Sequence, residues 1–190
     1  TVNVPKEGDD TLRDLIERDI TSISVPAGTT KIGNSVFKGC SGLTSINIPD
    51  SVTSIGSNAF YRCSSLTTTS FPNCINIDSY AFAYCSALTT ASFPNCTSIG
   101  GGAFSYCSSL TTVSFPNCIS IGGGYAFYFC SSLTTVSFPN CTNVGSNAFA
   151  SCSSLTTALF PSCTIIGSNA FMNCSSLTTV SFPNCTSISN

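Results

Sequence analysis

The 190-residue chain is poor in charge, with 14 charged residues, and it contains neither His nor Trp. The charged fraction is 7%, against about 25% in an ordinary soluble domain. Six basic residues are too few for the electrostatic footprint of a nucleic-acid binder. Lack of His removes the usual ligand of transition metals and the usual proton carrier of catalysis near neutral pH. Disorder is also excluded, because it needs low hydrophobicity and high net charge, whereas 42% of this chain is hydrophobic and its net charge is -2. Nine of the charges fall within residues 1–20 and the last is Asp78, so residues 79–190 form 112 consecutive uncharged positions. Ser, Thr, Asn, Pro and Gly interrupt that stretch every few residues. No apolar run approaches the ~20 residues of a membrane-spanning helix, so no membrane insertion is expected. The first residue is not Met and no signal peptide is apparent, which reads as a mature protein or an excised fragment.

Against these absences stands a repeat. Phe37, Phe60, Phe82, Phe104, Phe127, Phe149 and Phe171 are spaced 23, 22, 22, 23, 22 and 22 residues apart. One unit reads LTTVSFPNCISIGGGYAFYFC, from Leu110 to Cys130. Earlier units carry Pro-Asp-Ser-Val where later ones carry Pro-Asn-Cys, and this accounts for most of the difference in length. The second longer spacing comes from an extra residue in the run Gly122-Gly123-Gly124. Within the unit, Leu110, Val113 and Phe115 point inward from an extended segment, and Pro116 ends it by removing a donor. A second short extended stretch carries Cys118 and Ile121 inward. The glycines then turn, and Ala126-Phe127 insert a bulky ring beside Cys130. No unit of 22 residues buries these groups alone, but stacked units share one core. Strands beginning at Ile20, Leu43, Leu66, Leu88, Leu110, Leu133, Leu155 and Leu177 predict one parallel sheet of about eight strands, roughly 34 Å long at ~4.8 Å per strand.

The units IPDSVTSIG (48–56) and AFxxCSSL (59–66) resemble BspA-like leucine-rich repeats. The resemblance covers about residues 20–190. It implies an α/β-type repeat solenoid, a curved right-handed coil of the kind found on the surfaces of bacteria and some mucosal protozoa. It also implies attachment to host proteins or other cells. The Pro-Asn-Cys variant and the missing charge depart from the family's usual units, whose binding faces are more charged. Residues 1–20 read as an N-terminal cap with a helix through about Asp19, presenting Leu12, Leu15, Ile16 and Ile20 on one face. Residues 21–190 form the solenoid, about seven and a half units. The last unit is incomplete, so the strand Leu177–Phe182 is an open edge: a sign of truncation or of end-to-end stacking.

Thirteen cysteines fall in two series. The first comprises Cys40, Cys63, Cys85, Cys107, Cys130, Cys152 and Cys174, in Ala-Phe-x-x-Cys or its equivalent. The second comprises Cys74, Cys96, Cys118, Cys141, Cys163 and Cys185, in Pro-x-Cys. Zinc sites want pairs two to four residues apart, which are absent. Disulfides between adjacent turns would join side chains pointing in parallel, in strained geometry. The preferred reading is of buried thiols acting as small hydrophobes.

Two surface columns are candidate binding residues. The outward strand positions are Thr68/Ser70, Thr90/Ser92, Thr112/Ser114, Thr135/Ser137 and Thr179/Ser181, with Thr157/Leu159 breaking the series. Such a hydroxyl lattice on the expected concave face suits protein or glycan recognition, or, as a lesser reading, an ice or crystal surface. It also suits small β-formers with no task beyond packing. Tyr84, Tyr106 and Phe129, preceded by Arg62, occupy equivalent positions in successive units and either anchor a partner or pack on one another. Sequons at Asn95, Asn140, Asn173 and Asn184 would matter only in a eukaryotic secretory pathway. With no carboxylate, His, Lys or Arg beyond Asp78, no enzyme and no cofactor are expected. The functional expectation is a cell-surface or secreted module that binds a protein or glycan. A self-associating subunit of a filament or surface layer is the alternative.

Overall fold

The computed structural model describes residues 20–189; the helical cap expected over residues 1–20 therefore lies outside the described residues, apart from Ile20. The described chain coils through eight turns, each contributing two short strands, for sixteen in all. One strand of each turn has three residues: β1 (Ser22–Ser24), β3 (Ser45–Asn47), β5 (Thr68–Ser70), β7 (Thr90–Ser92), β9 (Thr112–Ser114), β11 (Thr135–Ser137), β13 (Thr157–Leu159) and β15 (Thr179–Ser181). The other has two: β2 (Lys31–Ile32), β4 (Ser54–Ile55), β6 (Asn76–Ile77), β8 (Ser98–Ile99), β10 (Ser120–Ile121), β12 (Asn143–Val144), β14 (Ile165–Ile166) and β16 (Ser187–Ile188). All pairing is parallel, residue to equivalent residue in the next turn. No helix occurs among the described residues.

The eight-stranded sheet expected from the leucine positions is present, but it runs along the other side of the coil. The two-residue strands form one unbroken sheet from β2 to β16. The three-residue strands, which start two residues after the predicted leucines, divide into β1–β3, β5–β7–β9 and β11–β13–β15. Both breaks, between β3 and β5 and between β9 and β11, fall where successive strands are spaced 23 rather than 22 residues. The two-residue ladder also contains 23-residue steps, from β2 to β4 and from β10 to β12, and stays paired across both. An extra residue does not by itself break the ladder, since β1 and β3 are also 23 apart and remain paired.

The core is an aromatic herringbone. Phe37, Phe60, Phe82, Phe104, Phe127, Phe149 and Phe171 stack turn on turn, with ring centroids 5.0–5.4 Å apart. Phe71, Phe93, Phe115, Phe138, Phe160 and Phe182 form a second stack at 5.3–5.9 Å. The widest step, Phe115–Phe138, coincides with the β9/β11 break. Between stacks the rings meet edge to face, for example Phe104 with Phe93 at 67° and with Phe115 at 68°. Offset stacking and edge-to-face contact are the two arrangements a ring quadrupole favours, and Phe60, Phe71, Phe82, Phe93, Phe104, Phe115, Phe127, Phe149 and Phe160 have both, while Phe138 meets its cross-stack neighbours at 57° and 59°.

Thr69 interrupts the inward strand position that Ala91, Val113, Val136 and Ala158 fill in other turns. Its hydroxyl is buried without a hydrogen-bond partner. An orphaned hydroxyl costs about 1–3 kcal/mol, and Val has nearly the same shape. Thr69→Val is therefore expected to raise the unfolding free energy by about 1 kcal/mol in urea titration.

Candidate functional site

The loop around Ala-Phe-x-x-Cys places the aromatic column. Its backbone takes a left-handed conformation twice per turn, once immediately before the Ala and once two residues after the Phe. The second series is Gly39, Arg62, Tyr84, Tyr106, Phe129, Ser151 and Asn173, with φ between 60° and 83°. The residues from Arg62 to Ser151 each donate their amide to a carbonyl of the next turn: Arg62 to Ala83, Tyr84 to Ser105, Tyr106 to Tyr128, Phe129 to Ala150 and Ser151 to Met172. The left-handed φ is thus built into the third side of the coil. Glycine adopts it freely and Asn at little cost, but for a side chain with a Cβ it costs roughly 1–2 kcal/mol. Tyr84, Tyr106 and Phe129 stand where other units carry Gly, Arg, Ser or Asn.

Their rings are stacked, with Tyr84 and Phe129 open to solvent and Tyr106 partly covered between them. Tyr84 and Tyr106 lie 4.6 Å apart and nearly parallel at 7°, and Phe129 follows Tyr106 at 5.3 Å. Tyr61, Tyr125 and Tyr128 meet this ribbon edge on: Tyr61 against Tyr84, Tyr128 against Tyr106, and Tyr125 against Tyr128, all at 5.4–5.5 Å. The Arg62 guanidinium lies over Tyr61 and Tyr84, and the Lys38 ammonium over Tyr61. Phe129 is the one phenylalanine outside the core herringbone and is 43% exposed; Tyr84 is 37% exposed. Burial, together with the phenols of Tyr128 and Tyr84, raises the pKa of Tyr106. The column is therefore both self-packed and exposed. The proximity of Tyr61, Tyr125 and Tyr128 to the column follows from their places in the repeat, but the strained backbone beneath escapes a reading of residue types alone. The signal that could have shown the strain is Gly39, Ser151 and Asn173 in the same column.

The hydroxyl face is in register but divided. Thr68, Thr90 and Thr112 are aligned across β5, β7 and β9, and Thr135, Thr157 and Thr179 across β11, β13 and β15. The serines Ser70, Ser92 and Ser114 follow likewise, while Leu159 separates Ser137 from Ser181. These hydroxyls make no hydrogen bond within the described residues, and most are exposed. The preceding Thr column behaves differently. Thr67, Thr89, Thr111, Thr156 and Thr178 each donate a hydroxyl to a carbonyl of the previous turn. In the Leu-Thr-Thr motif both threonines are at the surface, but the hydroxyl of the first is tied to the previous turn and that of the second is left free for solvent or a ligand.

The first cysteine series lies at 0% exposure from Cys63 to Cys152, and Cys174 is half-buried. Each thiol donates to the carbonyl of a phenylalanine in the preceding turn, Cys63 to Phe37, Cys85 to Phe60, Cys107 to Phe82, Cys130 to Phe104, Cys152 to Phe127 and Cys174 to Phe149, at 3.1–3.2 Å. The second series, Cys74 to Cys185, donates to the carbonyl two residues on. None of these thiols from Cys63 onward is in a disulfide. Burial pushes Cys107 up to about 12 and Cys74 to about 12, and raises Cys85 and Cys130 well above the ordinary thiol range. Such thiols are poor nucleophiles. Among the described residues no group of three or more His, Cys, Asp or Glu could hold a metal ion, and no helix is long and apolar enough to cross a membrane.

An eight-turn coil of parallel strands built from 22- and 23-residue units is a leucine-rich-repeat solenoid. The chain belongs to the BspA type leucine rich repeat family, whose model matches in 6 copies over residues 16–122 and 75–190. Its fold is similar to that of a leucine rich repeat protein of T. pallidum, at 28% identity and a TM-score of 0.76, covering 83% of this chain and 78% of that one. A leucine-rich repeat protein from Eubacterium ventriosum is similar at 28% identity and a TM-score of 0.79, over 88% of this chain and 46% of that one. A third, a leucine rich cell surface protein from Faecalibacterium prausnitzii, shares 28% identity with a TM-score of 0.57, over 86% of this chain and 61% of that one. This chain spans less than two thirds of the latter two proteins. No curated protein sequence matches it.

Proposed function

We propose that this chain is a cell-surface or extracellular binding module that holds a protein or glycan on its exposed aromatic column. One observation carries the reading: Tyr84 and Phe129, with Tyr106 stacked between them, stand exposed at the surface where Gly39, Arg62, Ser151 and Asn173 stand in other units. Exposed aromatics are the residue type most enriched where partners bind. The outward hydroxyls of Thr68, Thr90 and Thr112 offer neutral hydrogen bonds on another face. Their lattice is divided at β9/β11 and interrupted at Leu159, which weighs against ordering an extended ice or crystal surface. The description of the F. prausnitzii relative as a cell surface protein supports the location.

The test compares wild type with the triple variant Tyr84→Asn, Tyr106→Asn, Phe129→Asn on a glycan array and on immobilised mucin, fibronectin and collagen. At least one surface is expected to bind wild type, and the triple variant is expected to lose at least tenfold in affinity. Equal binding by both would remove the column from the function. If wild type binds nothing and light scattering shows particles growing with concentration, the filament-forming reading replaces this one.

A further inference from the structure

Face-to-face stacking decides what the aromatic column offers a partner. Tyr106, from the following turn, covers Tyr84 at 4.6 Å and 7°, while the Arg62 guanidinium, from the preceding turn, lies 5.5 Å from the Tyr84 centroid. Tyr106 in turn lies between Tyr84 and Phe129. The π faces of Tyr84 and Tyr106, the negative parts of the ring quadrupole, are therefore hidden within the stack. What reaches solvent is ring rim, the electropositive part of an aromatic, together with phenolic hydroxyls that donate hydrogen bonds. The charges are placed to the same effect. Lys31, Lys38 and Arg62 are the cations among the described residues, and the last two gather at the start of the column. Arg62 stands in the column itself, one turn before Tyr84, on the same left-handed backbone at φ 61°. The Lys38 ammonium and the Arg62 guanidinium each lie 5.4 Å from the Tyr61 centroid, so the two charges are within about 11 Å of each other. Both residues are exposed, and neither side chain makes a hydrogen bond or an ion pair with a described residue. A ring beneath a guanidinium holds it in place without occupying its five N–H donors.

We propose that the Arg62 end of the column is a subsite for the anionic group, a carboxylate or a sulfate, at the end of a glycan whose neutral sugars run along the rims of Tyr84, Tyr106 and Phe129. The proposal rests on the column being a recognition surface, and adds the charge of its ligand and the direction in which the ligand lies. A guanidinium takes two oxygens of such a group in a bidentate fork, and Lys38 supplies a second positive charge nearby. Sugar hydroxyls and ring oxygens accept hydrogen bonds from the phenols of Tyr84 and Tyr106. The distribution of charge favours a glycan over an acidic peptide. Arg62 is the last cation of the chain, so the column from Tyr84 onward contains no counter-charge. A peptide with carboxylates along its length would leave those beyond Arg62 unpaired. A glycan with one anionic group at its end needs a counter-charge only there.

The probes are 6′-sialyllactose, 3′-sulfolactose and lactose, titrated into the full chain by calorimetry and followed by saturation-transfer NMR. At least one acidic sugar is expected to bind at least tenfold more tightly than lactose. That advantage is expected to shrink as NaCl rises from about 0.05 to 0.5 M and screens the charges. The sialylated and sulfated probes tell carboxylate from sulfate, and binding of either supports the subsite. Arg62→Asn places at this left-handed position the residue that Asn173 already provides in another turn. Combined with Lys38→Gln, it is expected to bring affinity for the acidic sugar down to that for lactose. Tyr84→Phe/Tyr106→Phe keeps the stack but removes both phenol donors, and is expected to weaken acidic-sugar binding severalfold while leaving its salt dependence in place. Equal affinity for acidic and neutral sugars, or an acidic advantage that survives Arg62→Asn/Lys38→Gln, would overturn the anionic subsite. If that binding is nonetheless lost in Tyr84→Asn/Tyr106→Asn/Phe129→Asn, the column stands as the recognition surface. Failure of all three sugars, or capture of a polyglutamate peptide in their place, would also overturn the subsite. Acidic-sugar binding untouched by every column variant would overturn both readings.

Discussion

Raising the pH from 7 to 10.5, with reductant present, is expected to unfold the chain cooperatively. Cys85, Cys107 and Cys130 are fully buried, and burial raises their pKa values, for Cys107 to about 12. In the unfolded chain the same thiols titrate near ~8.5. Above that pH the unfolded state has released protons that the folded state still holds, so it binds fewer protons and stability falls as pH rises. Below about pH 8 both states are protonated and these thiols make stability independent of pH. Each pH unit beyond the unfolded value corresponds to about 1.4 kcal/mol per buried thiol, so at pH 10.5 these three together remove about 8 kcal/mol. That is comparable with the whole stability of an ordinary domain, about 5–15 kcal/mol. Urea midpoints measured from pH 6 to 11 should be level to about pH 8 and then drop steeply. A level midpoint through pH 10.5 would show that the thiols ionise in place or are not thiols.

Phe104→Ala is expected to cost about 4 kcal/mol, within the range for emptying a core phenylalanine site, and to lower the melting temperature by roughly 10 °C. Phe104 stacks on Phe82 and Phe127 and meets Phe93 and Phe115 edge on. In a coil each turn touches only its neighbours, so the damage also uncouples the turns on either side. Phe182→Ala serves as the contrast. That ring is partly exposed and meets only Phe160 and Phe171, so less than half the loss is expected. Equal losses at both positions in calorimetry would mean that the herringbone does not transmit cooperativity along the coil.

The period, the inward phenylalanines and the cysteine columns are legible in the sequence because each turn repeats one environment, and repetition exposes the positions that environment constrains. The sheet assignment is less legible. Asn76-Ile77 or Ser98-Ile99 is too short to stand out beside Leu-x-x-Val-x-Phe, yet it is the shorter segment that pairs without interruption. A two-residue strand gains its stability from neighbours above and below, which no single unit displays. The role of Thr67 and its equivalents is hidden for a similar reason, since its acceptor lies a full turn away. Tyr84, Tyr106 and Phe129 can be picked out as a column, but their backbone cannot, because bulky aromatics are poor predictors of left-handed φ. Tyr80 and Tyr125 take the same conformation ahead of the Ala, so the strain belongs to the repeat, and it is the stacking of Tyr84, Tyr106 and Phe129 at the surface that sets the column apart.

The claim that the column exists for binding is tested most directly by the thermal stability of the Tyr84→Asn/Tyr106→Asn/Phe129→Asn variant. The variant loses two stacked pairs and three edge or tilted contacts at about 0.5–1.5 kcal/mol each, and the Arg62 contact with Tyr84, while relief of left-handed strain at three residues returns roughly 1–2 kcal/mol each at most. The two nearly cancel, so the melting temperature is predicted to stay within about 3 °C of wild type or to rise. A fall of 8 °C or more would show that the aromatic column holds the coil together, and would contradict its assignment as a surface kept for a partner.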